Sequence, residues 1–244
     1  MTARLLEMRG IVKRYGALAA NDGVDLDVAA GEIVGLLGEN GSGKSTLMKV
    51  LIGMTRADAG GIVFRGRELS GHTPRDAAAA GIGMIHQHFM LIEAMTVAEN
   101  VMLGWEAAGR GRLRALRRGE IAARVRQASA RYGLDLDPDA VVGDLSLGRR
   151  QRVEILKAIL RGAALLVLDE PTSNLSPPEV AALLDVLRQL RAEGTGIVFI
   201  SHKMDEVRAL CDRVVVLRDG RVAGQAPAGA DAAALARMMV GRDL

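Results

Sequence analysis

Nine consecutive residues, Gly38-Glu39-Asn40-Gly41-Ser42-Gly43-Lys44-Ser45-Thr46, set three glycines ahead of a lysine and two hydroxyls. That spacing closes backbone N–H groups around the phosphates of a nucleotide, because glycine admits backbone angles and a close approach that a Cβ hinders. In such a P-loop, Lys44 neutralises the β- and γ-phosphates and the Ser45 hydroxyl ligates Mg2+. The plain alternative is a glycine-rich turn capped by a serine. The flanks favour the loop. Ile33-Val34-Gly35-Leu36-Leu37 before it is a short apolar strand, and Thr46 to Ile52 after it has helical periodicity, so a new helix points its positive N-terminal end at the anion.

Three more apolar runs end in polar residues. Ile82-Gly83-Met84-Ile85 leads to His86-Gln87-His88, Ala164 to Leu168 leads to Asp169-Glu170, and Gly196 to Ile200 leads to Ser201-His202. Runs this uniformly apolar suit parallel strands covered by helices on both faces, whose ligand sites lie beyond the carboxyl ends of the strands. Taken singly, Gln87 or His202 reads as a surface residue or a helix cap; four strand ends delivering polar groups to one place read as a site. Adjacent carboxylates after a buried strand repel each other and cost desolvation energy unless a metal or a proton relay uses them. The expected division is that Asp169 holds Mg2+, mostly through water, while Glu170 orients and deprotonates an attacking water.

The groups that surround these residues are bounded by composition. The 244 residues, 49% hydrophobic, suffice for one large domain or two lobes on a shared core, folded and soluble. No apolar stretch approaches the roughly 18 to 20 residues that cross a bilayer, and the first residues lack the long apolar centre of a signal peptide, so a membrane role needs a partner. The single Cys211 forms no internal disulfide and fits a reducing compartment. A net charge of +3 reads as a solvated surface, and 2% aromatic content leaves few stacking platforms, so no nucleic acid is expected.

The remaining elements must hold the polar strand ends in place. Leu5 to about Val28 reads as short antiparallel strands with turns at Tyr15-Gly16 and Asn21-Asp22-Gly23; Gly60 to Gly66 adds a strand and turn, and Pro74 opens an alanine-rich helix. Between Phe89 and Arg161 the pattern turns helical. Thr96 to Asn100 has the form of a capping box, Gly119 to Arg131 is an amphipathic arginine-rich helix, and Asp144 to Gln151 opens a third helix, capped by Ser146, whose N-terminus is a second potential anion site. The basic run Arg110, Arg112, Arg114, Arg117 and Arg118 reads first as a solvated face and second as a lipid or partner contact. Pro177 to Ala192 and Lys203 to Cys211 are helical, Arg213 to Leu217 and Arg221 to Gly224 pair around Asp219-Gly220, and Asp231 to Val240 is a last helix in which Met238 and Met239 pack. The predicted class is α/β: a P-loop NTPase with a mostly parallel sheet core, a small antiparallel β subdomain and a helical insertion. Residues 1–88 and 162–244 are expected to form the core with its β subdomain, and 89–161 the helical subdomain.

Six motifs in order, over nearly the whole chain, resemble those of the ATP-binding cassette (ABC) ATPases. By that resemblance Tyr15 is the aromatic residue that stacks on adenine, Gly38 to Thr46 the Walker A loop around ATP, Gln87 the Q-loop glutamine, Leu145 to Arg149 the signature motif, Leu165 to Glu170 the Walker B strand with its catalytic glutamate, and His202 the switch histidine at the γ-phosphate. The implied catalytic set is Glu170, His202, Lys44 and Gln87, with Ser45, Gln87 and Asp169 on Mg2+. The resemblance also implies head-to-tail dimers with two ATPs, each between one subunit's Walker A loop and the other's signature helix, so that Ser146, Leu147, Gly148 and Arg149 serve the opposite nucleotide. His86 to Leu91, Met95 to Val101 and Gln151 to Lys157 are similar to importer-type cassettes, in particular to the first half of double cassettes for nucleoside and related sugar uptake. The implied role is ATP hydrolysis coupled to import through separate transmembrane permease subunits. A second cassette and an extracytoplasmic solute-binding lipoprotein are the implied partners, and the cytoplasmic face of the membrane the implied location.

The sequence departs from that family's pattern in places. Its signature reads Leu-Ser-Leu-Gly-Arg rather than Leu-Ser-Gly-Gly-Gln, which sets the Arg149 cation beside a helix N-terminus, and Ser176 stands where the loop after Walker B usually has an aspartate. A single cassette pairs with a separate second cassette, pairs with itself, or is a piece of a longer protein. Two other readings compete: a soluble ABC ATPase acting on nucleic acid or the ribosome, a class marked by paired cassettes, coiled coils or basic arms, and a regulatory ATP-binding half with little turnover.

Overall fold

A computed structural model describes residues 4–87, 89–103 and 118–241. The strands β1 (Arg4–Tyr15) and β2 (Leu18–Ala29) form a long antiparallel hairpin that reverses at Gly16. The turn predicted at Asn21-Asp22-Gly23 lies instead inside β2. Between the pairs Ile11↔Val24 and Lys13↔Asn21 the β2 side carries one extra residue, a bulge for which Gly23 supplies φ +74°. Turn and bulge both use left-handed backbone, so the local residue types do not separate them. Antiparallel β4 (Ala59–Phe64) and the two-residue β5 (Arg67–Glu68) complete a sheet in the order β2-β1-β4-β5.

The second sheet is built from β3 (Ile33–Leu37), β6 (Ile82–Ile85), β7 (Leu165–Asp169), β8 (Gly196–Ile200), β9 (Arg213–Arg218) and β10 (Arg221–Pro227), in the order β10-β9-β3-β8-β7-β6. Its first five strands in chain order are mutually parallel, and β10 returns antiparallel through Asp219 and Gly220, both at positive φ. Alternation along each strand divides the interior in two. Ile33, Leu166, Phe199 and Val214 face one buried cluster, while Val34, Val167, Val198 and Val215 face the other. The second cluster takes in β1, β2, β4, α1 (Lys44–Leu51) and α2 (Pro74–Ala80); the first takes in the helices α3 (Val97–Met102), α4 (Arg118–Tyr132), α5 (Leu147–Leu160), α6 (Pro177–Ala192), α7 (Met204–Leu210) and α8 (Ala232–Val240). Each fully buried Leu, Val or Phe contributes about 1.5–3 kcal/mol relative to exposure, so apolar strands sealed on both sides make a stiff platform for whatever follows their ends.

The capping box at Thr96 forms as expected, with Glu99 accepting from the Thr96 N–H at 2.8 Å and Thr96 Oγ1 from the Glu99 N–H at 3.3 Å. Met238 and Met239 pack against the first cluster. Burial beside Asp212 pushes the Cys211 thiol up to about 12, so it packs and does not react. His88 and Arg110, Arg112, Arg114 and Arg117 of the basic run lie outside the described residues. Among the described residues no helix is long and apolar enough to cross a membrane.

Candidate functional site

The loop between β3 and α1 is shaped by two walls. At Gly38, φ +148°, a Cβ would meet Leu217 O at 2.3 Å and Ser42 Oγ at 2.5 Å; at Gly43, φ +102°, it would meet Ala20 O at 2.3 Å and Asn21 Nδ2 at 2.6 Å. Glycine is therefore required at both ends of the loop, where β9 and the bulged part of β2 press against it. Asn21 is fully buried and donates from Nδ2 to Gly43 O at 3.2 Å, and the buried Ser42 gives its C=O to the Gly220 N–H at 3.3 Å. Lys44 folds back into the loop, its Nζ donating to Gly38 O (2.6 Å), Glu39 O (2.9 Å) and Ser42 Oγ (3.4 Å). Burial lowers its pKa, and the charges of Glu170 and Asp169 partly restore it. Glu39, Asn40, Gly41 and Ser45 are exposed, and Thr46 is half-buried.

The neighbouring order β3-β8-β7-β6 brings the other predicted strand ends alongside. Asp169 pairs with Ile200 and Ile85 with Leu168, so Asp169-Glu170, Ser201-His202 and His86-Gln87 leave the sheet at one edge. Burial first, then the charge of Glu170, raises the Asp169 pKa above the usual carboxylate range; His86, Lys44 and Lys49 pull it back. Glu170 has left-handed backbone, φ +48°, and its N–H donates to Ile200 O at 2.9 Å. A non-glycine residue held so costs about 1 kcal/mol, repaid here by a fixed direction for the side chain. Glu170 Oε1 stands 3.2 Å from His202 Nδ1, with His202 exposed and Glu170 largely covered. Gln87, two residues past β6, is exposed. Tyr15 ends β1 half exposed, with Lys13 Nζ 5.5 Å from its ring centre.

Several supporting residues carry no sequence signal. Thr172 Oγ1 donates to Glu206 at 2.6 Å, and Lys203 Nζ reaches Thr172 O at 3.0 Å and Glu206 at 3.2 Å, which ties the segment after Glu170 to the start of α7. Asn21, which supports Gly43, is marked in the sequence only as part of a turn signal. The available donors for a cation are the Asp169 carboxylate, the Ser45 hydroxyl and the Gln87 amide. These are hard oxygens suited to Mg2+ that keeps water and phosphate ligands, and among the described residues no group of three or more His, Cys, Asp or Glu gathers to hold a metal alone.

Ser146 caps α5 as expected, its Oγ accepting from the Arg149 N–H at 3.3 Å and donating to Glu179 Oε1 at 3.4 Å. Glu179 also accepts from Ser176 N–H (3.0 Å) and Ser176 Oγ (2.7 Å), so Ser176 begins α6 with a capping box. Gly148 is buried, and a Cβ there would lie 2.2 Å from Glu179 Oε1. Leu147 is exposed, and Arg149 is tied to Asp135 at 2.6 Å. Among the described residues no hydrogen bond joins Ser146–Arg149 to the Gly38–Thr46 loop, so the predicted residues fall into two groups within one chain.

The ABC transporter family matches residues 21–173. The glucose import ATP-binding protein TsgD13 of Haloferax volcanii is 46% identical over 98% of this chain and 48% of its own length, and the nucleoside import ATP-binding protein NupA of Lactococcus lactis is 43% identical over 98% and 47%. The chain thus spans about half the length of these relatives. The ADP conformation of MJ1267, an ATP-binding cassette of an ABC transporter, has the same fold at a TM-score of 0.85, 26% identical over 99% of this chain and 100% of that one. With a glycine-walled loop facing Asp169, Glu170 and His202 and a serine-capped helix apart from them, and with these likenesses over its whole length, the chain belongs to the ABC transporter family.

Proposed function

We propose that this chain binds ATP with Mg2+ and hydrolyses it to ADP and phosphate, powering import of a nucleoside or related sugar. The observation that carries the reading is the convergence of Lys44, Asp169, Glu170 and His202 at one sheet edge, beside a loop in which contacts enforce glycine. Mg2+, held by Ser45, Asp169 and Gln87, supplies positive charge to the β- and γ-phosphates when bound. The loop N–H groups and Lys44 hold and neutralise the phosphates, and Tyr15 offers adenine its exposed ring. Glu170, aimed by its left-handed backbone, takes the proton of the attacking water, while His202 steadies that carboxylate and reaches the γ-phosphate. Ser146, Leu147, Gly148 and Arg149 serve the nucleotide of a second cassette, which requires Ser146 to exchange Glu179 for a phosphate. The names of the relatives, glucose and nucleoside import proteins of twice this length, support the substrate class and a cassette pair. Permease subunits and an extracytoplasmic solute-binding protein complete the system, with this chain peripheral on the cytoplasmic face.

Phosphate release from Mg-ATP, measured over a range of protein concentrations beside ATP binding, tests the reading. Glu170→Gln keeps ATP binding and loses turnover by about 100-fold or more. Unchanged turnover in that variant overturns the role of Glu170. Activity rising faster than linearly with concentration identifies self-pairing, and binding without turnover identifies dependence on another cassette or the permease.

A further inference from the structure

Helix α5 buries charge that neither nucleotide group uses. Glu154 and Lys157 are each 8% exposed, and their carboxylate and ammonium lie 3.2 Å apart. A buried ion pair offsets its desolvation only when its remaining lone pairs and protons are also bonded. Here those bonds converge on one residue of another segment: Glu154 Oε1 accepts from the Met90 N–H at 2.8 Å, and Lys157 Nζ donates to the Met90 C=O at 3.0 Å. Burial pulls the Lys157 pKa down, and the Glu154 charge pulls it back. Arg161, the next residue on this stripe and the C-cap of α5, donates to Leu103 O, where α3 ends.

The chain positions give the pair its meaning. Met90 follows Gln87 by three residues, and Glu154 follows Ser146 by eight along one helix, about 12 Å at the helical rise. Apolar side chains would fill the same space at lower desolvation cost. They would leave Met90 free to slide, whereas opposite charges gripping both its N–H and its C=O fix its position and orientation on α5.

We propose that Glu154 and Lys157 are positioning residues: they lock Met90, three residues past Gln87, to the helix that begins at Ser146, so that nucleotide held at the glutamine of one site bears on the serine offered to the other. The proposal rests on the reading of Gln87 and Ser146 given above. It requires that nucleotide engaged near Gln87 be felt in the first turns of α5.

Hydrogen exchange with and without Mg-ATP, in a Glu170→Gln background that retains nucleotide, reads this directly. Nucleotide slows exchange in residues 38–46, and also by about tenfold, the worth of one charge-assisted hydrogen bond, in residues 89–92 and 149–153. Replacing both charges, Glu154→Gln with Lys157→Met, leaves no orphan charge; it keeps the slowing at 38–46 and abolishes it at 149–153, whereas Lys157→Arg alone, with Glu154 kept, preserves the ion pair and retains the slowing. Unchanged exchange in β7 and β8 certifies the fold, and Glu154→Gln alone, isosteric, gives a partial loss should the double variant not fold. Slowing at 149–153 that survives these replacements overturns the proposal, as does a responsive loop with a silent α5 in the intact pair. A loop that itself ignores Mg-ATP overturns the nucleotide reading, and this proposal with it.

Discussion

His202 Nδ1 lies 3.2 Å from Glu170 Oε1, a bond between residues that leave adjacent parallel strands. The Glu170 N–H is bonded to Ile200 O from the same neighbouring strand, so both ends of the glutamate are referred to β8. His202→Ala removes one of the two anchors and leaves the loop of residues 38–46 intact. Turnover falls by about 100-fold while ATP affinity holds within about threefold. Steady-state kinetics with a nucleotide-binding titration separates these, and a parallel loss of affinity would assign the histidine to binding rather than to turnover.

The residues of this site were legible because the chemistry demands particular types at particular offsets, and β3, β6, β7 and β8 were legible because sealed strands are apolar throughout. What surrounds them was not. Asn21 supports Gly43 from 22 residues away, and its Asn-Asp-Gly setting reads as a chain reversal although it forms a bulge. Glu154, Lys157 and Glu179 look like solvated charges on amphipathic helices; their partners are the main chain of Met90, the close approach of Gly148 and the cap of α6, none of which a residue type announces. Arg149, a cation beside a helix N-terminus in the sequence, is drawn instead to Asp135 across a loop.

The join between α4 and α6 makes a stability prediction with a sign. Tyr132 OH donates to Glu193 Oε2 at 2.6 Å, Arg131 pairs with Glu193 Oε1 at 2.9 Å, and Gln189 Nε2 donates to Arg131 O at 3.0 Å. The tyrosine bond first, and the arginine after it, lower the pKa of the Glu193 carboxyl against the opposing effect of burial. A depressed carboxylate contributes stability that is present above the ordinary glutamate range and is lost as pH falls through the lowered value. Tyr132→Phe therefore lowers Tm at pH 7 by about 2–4 °C, roughly 1 kcal/mol after discounting for partial exposure. The gap narrows at acid pH, below the ordinary glutamate value of about 4.3. Thermal melts at pH 7 and below that value check this, and an equal gap at each would trace the loss to packing and not to the carboxylate.

Two glycines, Gly38 and Gly148, are each blocked by a close neighbour, yet substitution should act differently at each. At Gly38 the obstacle is the main-chain oxygen of Leu217, and φ +148° adds strain, so Gly38→Ala displaces the loop and removes nucleotide binding. At Gly148 the obstacle is the end of a flexible side chain, the Glu179 carboxylate 2.2 Å from the added Cβ. Gly148→Ala leaves a folded chain but forces Glu179 off Ser146 and Ser176, dissolving the α6 cap, and Tm falls even though alanine is the better helix former. With Glu179→Ala already in place the obstacle and the cap are both gone. The same substitution then raises Tm, because alanine is more stable than glycine within a helix by about 0.5–1 kcal/mol. Melting the four members of this cycle decides the matter: a reversal of sign between backgrounds identifies the carboxylate as the reason for glycine, and an equal loss in both identifies some other constraint at the start of α5.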